Sequence, residues 1–265
     1  LPQIRAGKIK PLAVMSANLL SAYRTGAVPG VGARHLARKD SRVVGILGPG
    51  VMAKTSLAAF VAVCPKLDTV KVKGRGEKNL RGFLDWIGQT YPQITSVTVV
   101  DTVEEVVRDS DIVTFCASGA TGDPSTYPTV QRDWVRPGTF LAMPAPCNID
   151  AGMEAPEIRK VLDNTGLYEA WCEETPKPVH NSIPAVGIRW MDLVDEGRIP
   201  REVLEDLGRI VAGDAPGRRS EDEIIMLSVG GMPVEDVAWG TDIYRNAVKR
   251  GIGVPLNLWD EPILR

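Results

Sequence analysis

An α/β fold organised on a doubly wound parallel sheet is what this sequence predicts. Two observations carry that expectation. From Arg42 onward, short apolar β-type runs alternate with helical stretches, the pattern of parallel strands joined by crossover helices. Residues 42–60, RVVGILGPGVMAKTSLAAF, then place glycines at the turn between the first of these strands and its helix.

The first strand is the run Val43, Val44, Ile46 and Leu47, apolar enough to be buried on both faces. Gly48, Gly50 and Ala53 follow with G-x-G-x-x-A spacing. In a dinucleotide-binding turn the first glycine makes the tight turn and the second lets the backbone approach a pyrophosphate. The small third residue lets the next helix lie close to the strand. That helix, over 51–63, would turn the N–H groups of Val51 and Met52 and its positive dipole end toward the phosphates. Glycine-rich strand–helix turns also serve purely structural ends, so the spacing alone leaves both readings open.

The remaining elements follow from the same alternation. A second strand is expected at 69–73 and a helix at 77–90. A third strand spans 96–100, and an acidic helix 102–108. The apolar DIVTFCA makes 111–117 a fourth strand, followed by the polar loop SGATGDPSTYP. A fifth strand at 139–143 leads to a helix at 154–163 and a sixth strand at 167–171. Helices at 184–194 and 201–211 precede a strand at 224–229, a turn at Gly230 and Gly231, and a long amphipathic helix at 234–249. Ahead of Arg42, PLAVM reads as one strand, and Ser16 as the N-cap of a helix starting at Ala17. Gly26, Pro29, Gly30 and Gly32 interrupt that helix before a second piece runs through Leu36. Arg24 and Thr25 sit at the break, where an exposed helix N-terminus would make an anion site.

The 265 residues, 44% hydrophobic and 24% charged, suit one large soluble domain or two modest ones. A formal net charge of -2 gives no electrostatic case for nucleic acid or an anionic membrane. No apolar run approaches the roughly 18 residues of a membrane span, and nothing at the start resembles a signal peptide. A cytoplasmic location is therefore expected. The four cysteines (Cys64, Cys116, Cys147 and Cys172) form no C-x-x-C pair. With only His35 and His180 as histidines, no metal site is expected.

The end of the second strand discriminates between dinucleotides: a carboxylate there bonds the ribose 2′-OH of NAD, whereas arginine accommodates the 2′-phosphate of NADP. Here VKVK runs into Gly74, Arg75, Gly76, Glu77 and Lys78. Glycine at 74 offers no carboxylate, and Glu77 reads as a first-turn anion of the following helix. Arg75 and Lys78 supply positive charge, so NADP(H) is preferred with NAD(H) possible. A plain solvated basic edge is the alternative. Ser118, leaving the carboxyl edge of the fourth strand, is placed to touch the cofactor.

Three segments, SAYRTGAVPGVGARHLAR, VVGILGPGVMAKTSLAAF and EIIMLSVGGMPVEDVAWG, resemble the ornithine cyclodeaminase / mu-crystallin family. LEDLGRIVAGDAPGR resembles that family's E-L-G-x-[IV]-x-G-x-x-P-G stretch. The resemblance implies an NAD(P)-dependent dimer acting on a small amino acid or imine; members include cyclodeaminases, alanine and opine-type dehydrogenases, and ketimine reductases. It matches Arg24 to the arginine that pairs with the substrate carboxylate and Thr25 to a pyrophosphate contact. It also places Val229 and Gly230 beside the nicotinamide ring. Arg24 would otherwise be a surface arginine on an amphipathic helix, and Gly230 to Met232 a simple strand-to-helix turn.

Two departures refine the expectation. The G-x-D-x-P-G-K motif of cyclodeaminases is absent, and the corresponding region reads MPAPCNIDAGMEAPEI. Asp150 could act there as proton donor or base, or simply cap the next helix. This favours hydride transfer at a C=N or C–N bond over ammonia release, with non-catalytic NADP binding as a further alternative. The chain also begins almost at the Arg24 helix, where the family has a substantial N-terminal half. Residues 25–230 are therefore expected to form the dinucleotide-binding domain. Residues 1–24 and 231–265 would form parts of a truncated, discontinuous substrate and dimerisation domain. A strand near Leu12 and exposed Leu256 and Trp259 would need a partner, hence a homodimer.

Overall fold

The computed structural model describes residues 13–117, 119 and 123–255. Ser118, Leu12, Leu256 and Trp259 lie outside the described residues. The strands are β1 (Val43–Leu47), β2 (Thr69–Lys73), β3 (Ser96–Val99), β4 (Ile112–Phe115), β5 (Thr129–Val130), β6 (Phe140–Met143), β7 (Asn148–Ile149), β8 (Arg159–Leu162), β9 (Leu204–Asp206) and β10 (Ile225–Ser228). Eight of them form one sheet in the order β3-β2-β1-β4-β6-β10-β8-β9, and β5 pairs with β7 separately. Every pairing in the large sheet is parallel, as the strand–helix alternation predicts.

The helices are α1 (Asn18–Leu36), α2 (Val51–Val63), α3 (Glu77–Thr90), α4 (Val103–Val107), α5 (Ala151–Glu154), α6 (Thr165–Glu174), α7 (Val186–Asp195), α8 (Leu207–Ala212) and α9 (Pro233–Arg250). Those within residues 22–232 cover both faces of the sheet, so its central strands are buried on both sides. One apolar cluster joins Leu36, Leu57, Phe60, Phe83 and Ile210 to the sheet. The other joins Val106, Met153, Tyr168, Trp190 and Leu193 to the opposite face. The chain divides into two compact units, one spanning 22–232 and the other comprising, among the described residues, 13–21 and 233–255. Among the described residues no helix is long and apolar enough to cross a membrane.

Five expectations are corrected. The helix break at Gly26–Gly32 does not exist: α1 is continuous, with Pro29 inside it. Its glycines serve close packing instead. A Cβ on Gly26 would stand 2.2 Å from Thr55 Oγ1, and one on Gly30 would stand 2.4 Å from the Ala59 Cβ, both on α2. On Gly32 it would meet Leu227 and Phe140 of the sheet at 2.4 and 3.0 Å. Residues 154–163 contain β8 rather than a helix, because its two charged residues find partners when buried. Arg159 donates to both oxygens of Glu205 at 3.0 and 2.7 Å. Lys160 Nζ donates to the Ala155 and Ile158 carbonyls at 2.7 and 2.8 Å. The expected strand at 167–171 is helix α6, started by the Asn164 side chain accepting from Leu167 N–H at 3.1 Å. Residues 201–211 hold a short turn, the edge strand β9 and then α8. Of the PLAVM segment, residues 13–15 are not in a strand.

Candidate active site: a dinucleotide cleft and an arginine beside it

The sheet order reverses its winding between β1 and β4, and ligands of such sheets bind outside the carboxyl ends of the strands at that point. A cleft of about 390 Å³ opens there, lined by Gly48, Pro49, Gly50, Gly74, Arg75 and Ala117 among others. Gly48 has φ +91°, and a Cβ on it would lie 2.7 Å from the Ala117 Cα. Both the conformation and the exit of β4 therefore require glycine. Gly50 differs. Its φ is an ordinary -94°, and an added Cβ would meet nothing within 4 Å. No contact inside the described chain needs glycine at 50, whereas a pyrophosphate laid against the turn would occupy that space.

No side chain caps α2. Its hydrogen bonding begins with Lys54 N–H, which donates to the Gly50 carbonyl at 3.2 Å. The N–H groups of Val51 and Met52 therefore have no acceptor within the helix and stand at its positive dipole end. Ala53, the third position of the motif, is fully buried, which allows the close approach of helix and strand. The cleft thus fits a dinucleotide's diphosphate by shape and by charge.

At the end of β2, a Cβ on Gly74 would stand 2.6 Å from Pro49 Cδ, which excludes a carboxylate side chain at this position. Arg75 is exposed on the cleft wall. Lys78 is also exposed, on the first turn of α3, but does not line the cleft. Glu77 pairs with Arg81 one turn along the helix, and the Lys73 ammonium donates to the Asp101 carbonyl. Cys116 forms part of the wall, its thiol pushed up to about 11 by burial, so it is no nucleophile at neutral pH.

The contacts of α1 place Arg24 and Thr25. Gly26 opposes Thr55, and Gly30 opposes Ala59, so α1 and α2 run in the same direction where they cross. The turn of α1 before Gly26 therefore lies alongside the first turn of α2, next to Gly50. From there the Arg24 guanidinium reaches the turn that follows β10. Gly231, at φ +90°, has its absent Cβ position 2.5 Å from Arg24 Nη1. Val229 and Gly230 occupy the same turn, with Val229 N–H donating to the Met143 carbonyl at 3.2 Å. Arg24, Thr25, Gly50, Val229 and Gly230 are thus gathered at one edge of the sheet.

Asp150 is not gathered with them. Its Oδ1 accepts from Met153 N–H at 2.9 Å and its Oδ2 from Arg132 N–H at 3.1 Å. It is the N-cap of α5, the capping alternative of the two that its sequence position allows. Cys147, in the region where the G-x-D-x-P-G-K motif is missing, is buried and its thiol is pushed up to about 12. Among the described residues no His, Cys, Asp or Glu group could hold a metal ion.

One residue escaped the sequence reading. Asp163, at the end of β8, is 2% exposed. Its Oδ2 accepts from both Gly230 N–H and Gly231 N–H, each at 2.9 Å, and its Oδ1 from Asn164 N–H at 3.0 Å. An aspartate buried between expected strand boundaries was the available signal, hidden because 154–163 reads as helix.

A parallel sheet with a glycine turn and a cleft at its switch point defines the class of dinucleotide-binding α/β folds. Over residues 5–251 the sequence matches the profile of the ornithine cyclodeaminase/mu-crystallin family, and the chain belongs to that family. It is 28% identical over 250 residues to N-((2S)-2-amino-2-carboxyethyl)-L-glutamate dehydrogenase of Staphylococcus aureus, covering 94% of this chain and 68% of that protein. Among solved structures it is similar to Thermococcus litoralis Delta(1)-pyrroline-2-carboxylate reductase in complex with NADH and L-proline. The TM-score is 0.73 at 27% identity, over 93% of this chain and 70% of that one. It is also similar to an archaeal alanine dehydrogenase dimer with bound NAD, with a TM-score of 0.72 at 25% identity, over 94% of this chain and 71% of that one.

Proposed function

We propose that this protein is an NAD(P)-dependent oxidoreductase that moves a hydride to or from the C=N or C–N bond of a small amino-acid-derived imine or amine. The observation that carries the reading is the seat of Arg24. Its helix lies alongside the dinucleotide turn, and its guanidinium reaches the end of β10. A nicotinamide dinucleotide supplies or accepts the hydride when bound. Gly48, Gly50 and the N–H groups of Val51 and Met52 would hold its diphosphate, with Thr25 at the neighbouring turn of α1. Arg24, permanently charged and planar, would take the substrate carboxylate through two parallel hydrogen bonds. That grip fixes the α-carbon at the edge where the reacting ring would lie, and such positioning supplies much of the rate. The named relatives act on 2-amino or 2-imino acids, all of which carry the carboxylate that Arg24 suits.

We further propose that NADP(H) is preferred, supported by the exclusion of a carboxylate at 74 and by exposed Arg75 on the cleft wall. Ser118 keeps its proposed place beside the cofactor from its position after β4. A homodimer is the proposed assembly, supported by the dimeric archaeal relative and by Val234, Val237 and Val248 exposed on α9. A cytoplasmic location suits the four free cysteines.

The test is NADPH and NADH oxidation by the full chain across cyclic 2-imino acids and 2-oxo acid plus amine pairs. Turnover with a carboxylated imine, lost in Arg24→Ala, supports the reading. Tight dinucleotide binding without turnover on any such substrate would instead make the protein a non-catalytic binder.

A further inference from the structure

Resting on that reading, the turn after β10 carries a further assignment. Gly230 and Gly231 direct both of their N–H groups inward onto Oδ2 of Asp163. The only cis peptide bond among the described residues is Lys177-Pro178, so the two peptide units of this turn are trans. In a planar trans unit the carbonyl points opposite to the N–H. The carbonyls of Val229 and Gly230 are therefore aimed away from Asp163. Two acceptors on consecutive residues are held in fixed directions at the carboxyl edge of the sheet. This edge lies three strands from the glycine turn in the order β1-β4-β6-β10, about 14 Å at the usual strand spacing.

The same carboxylate sets the seat of Arg24. Gly231 holds φ +90° with its α-carbon against the guanidinium. This conformation is stabilised from behind by Asp163 and, one step further along the sheet, by a second buried bracket. The Tyr168 hydroxyl lies 3.0 Å from Ser228 Oγ, which also accepts from Gly187 N–H at 2.9 Å. The backbone N–H of Asp163 itself donates to the Ser228 carbonyl at 3.1 Å. Three backbone donors converge on one buried carboxyl group at the exit of β8, in a strand that contributes nothing else to the site.

We propose that Asp163 is a positioning residue for the nicotinamide end of the cofactor and for the substrate carboxylate: by fixing the Val229–Gly231 peptide planes it aims their carbonyls at the ring's carboxamide and holds Arg24 in place. It touches neither ligand. A merely structural aspartate would, when replaced, weaken all ligand binding alike, whereas a positioning residue acts on one half of the dinucleotide.

The test compares ADP-ribose, which lacks the nicotinamide, with NADH, by calorimetric titration of the full chain. Asp163→Asn keeps the volume but turns an NH₂ group toward either Asn164 N–H or the glycine N–H pair. The expected result is ADP-ribose affinity unchanged, with the NADH Kd and the substrate KM both raised about tenfold or more. Equal weakening of ADP-ribose and NADH, or no change in either, overturns the proposal. Should that variant fail to fold, Gly231→Ala reads the same seat from the other side, since its methyl group meets Arg24 directly. A raised substrate KM with unchanged ADP-ribose binding is then expected, and an unchanged KM overturns the assignment. Wild-type protein that binds neither of these ligands nor NADPH removes the dinucleotide reading itself, and this inference with it.

Discussion

Gly48 and Gly50 stand two residues apart and serve different ends. Gly48→Ala forces a side chain into positive φ and against the Ala117 backbone, and should lower stability by about 2 kcal/mol or more. Gly50→Ala projects into open space and should change stability by less than about 0.5 kcal/mol. It should nevertheless weaken NADH binding, because its methyl group takes the volume of the diphosphate. Thermal unfolding beside a calorimetric titration separates the two effects. Arg75→Ala should weaken NADPH while leaving NADH unchanged, and a parallel loss of both would remove Arg75 from the 2′-phosphate. Lys160 offers a pH-dependent signature. Burial pushes its ammonium from 10.5 down to about 8. Between those values the unfolded chain keeps a proton that the native chain has released, so stability contributed by this residue rises with pH through that window. Lys160→Met should flatten the rise in Tm there.

The crossing of α1 and α2 shows what the sequence disclosed of the elements and what it hid. Strands β1, β4, β6 and β10 were legible because each is a short apolar run that burial on both faces demands, and β2 because its buried valines alternate with polar residues. The cleft was legible for the same reason, since G-x-G-x-x-A follows a readable strand. The continuity of α1 was not. Gly26, Gly30 and Gly32 are poor helix formers in water, and only the contacts with Thr55, Ala59 and Leu227 make small residues necessary. Tertiary packing overrode propensity. Likewise RKVL reads as helix until Glu205 and the loop carbonyls of Pro216 and Gly217 are available to Arg159. Misreading β8 is what concealed Asp163. Gly30→Leu should therefore destabilise the fold by about 2 kcal/mol or more by overpacking the crossing, read as a shift in denaturant midpoint. Asp150→Ala should remove a helix cap and the acceptor for Arg132 N–H, about 1–2 kcal/mol, without changing kcat/KM. A collapse of kcat in that variant would restore Asp150 as an acid or base.

At the scale of the whole molecule, the unit spanning 22–232 carries the sheet, the cleft and Arg24. Dinucleotide at a hundredfold excess over its Kd should stabilise this chain by about 2.7 kcal/mol, and calorimetric scanning checks that figure. Sedimentation should return twice the monomer mass; monomer mass at micromolar concentration would remove the homodimer from the proposal. The glycine-lined crossing of α1 and α2 has one more consequence. It leaves only the short side chains of Thr55 and Ala59 between the helix that bears Arg24 and the helix that opens at the glycine turn. An adjustment of either helix is transmitted through these short contacts, with few rotamers to absorb it. Occupancy at the two ends is then thermodynamically linked, and linkage is reciprocal. On the proposed function, whatever factor the dinucleotide adds to the affinity for an amino-acid carboxylate, the carboxylate returns to the dinucleotide, and titrations in either order should give the same factor.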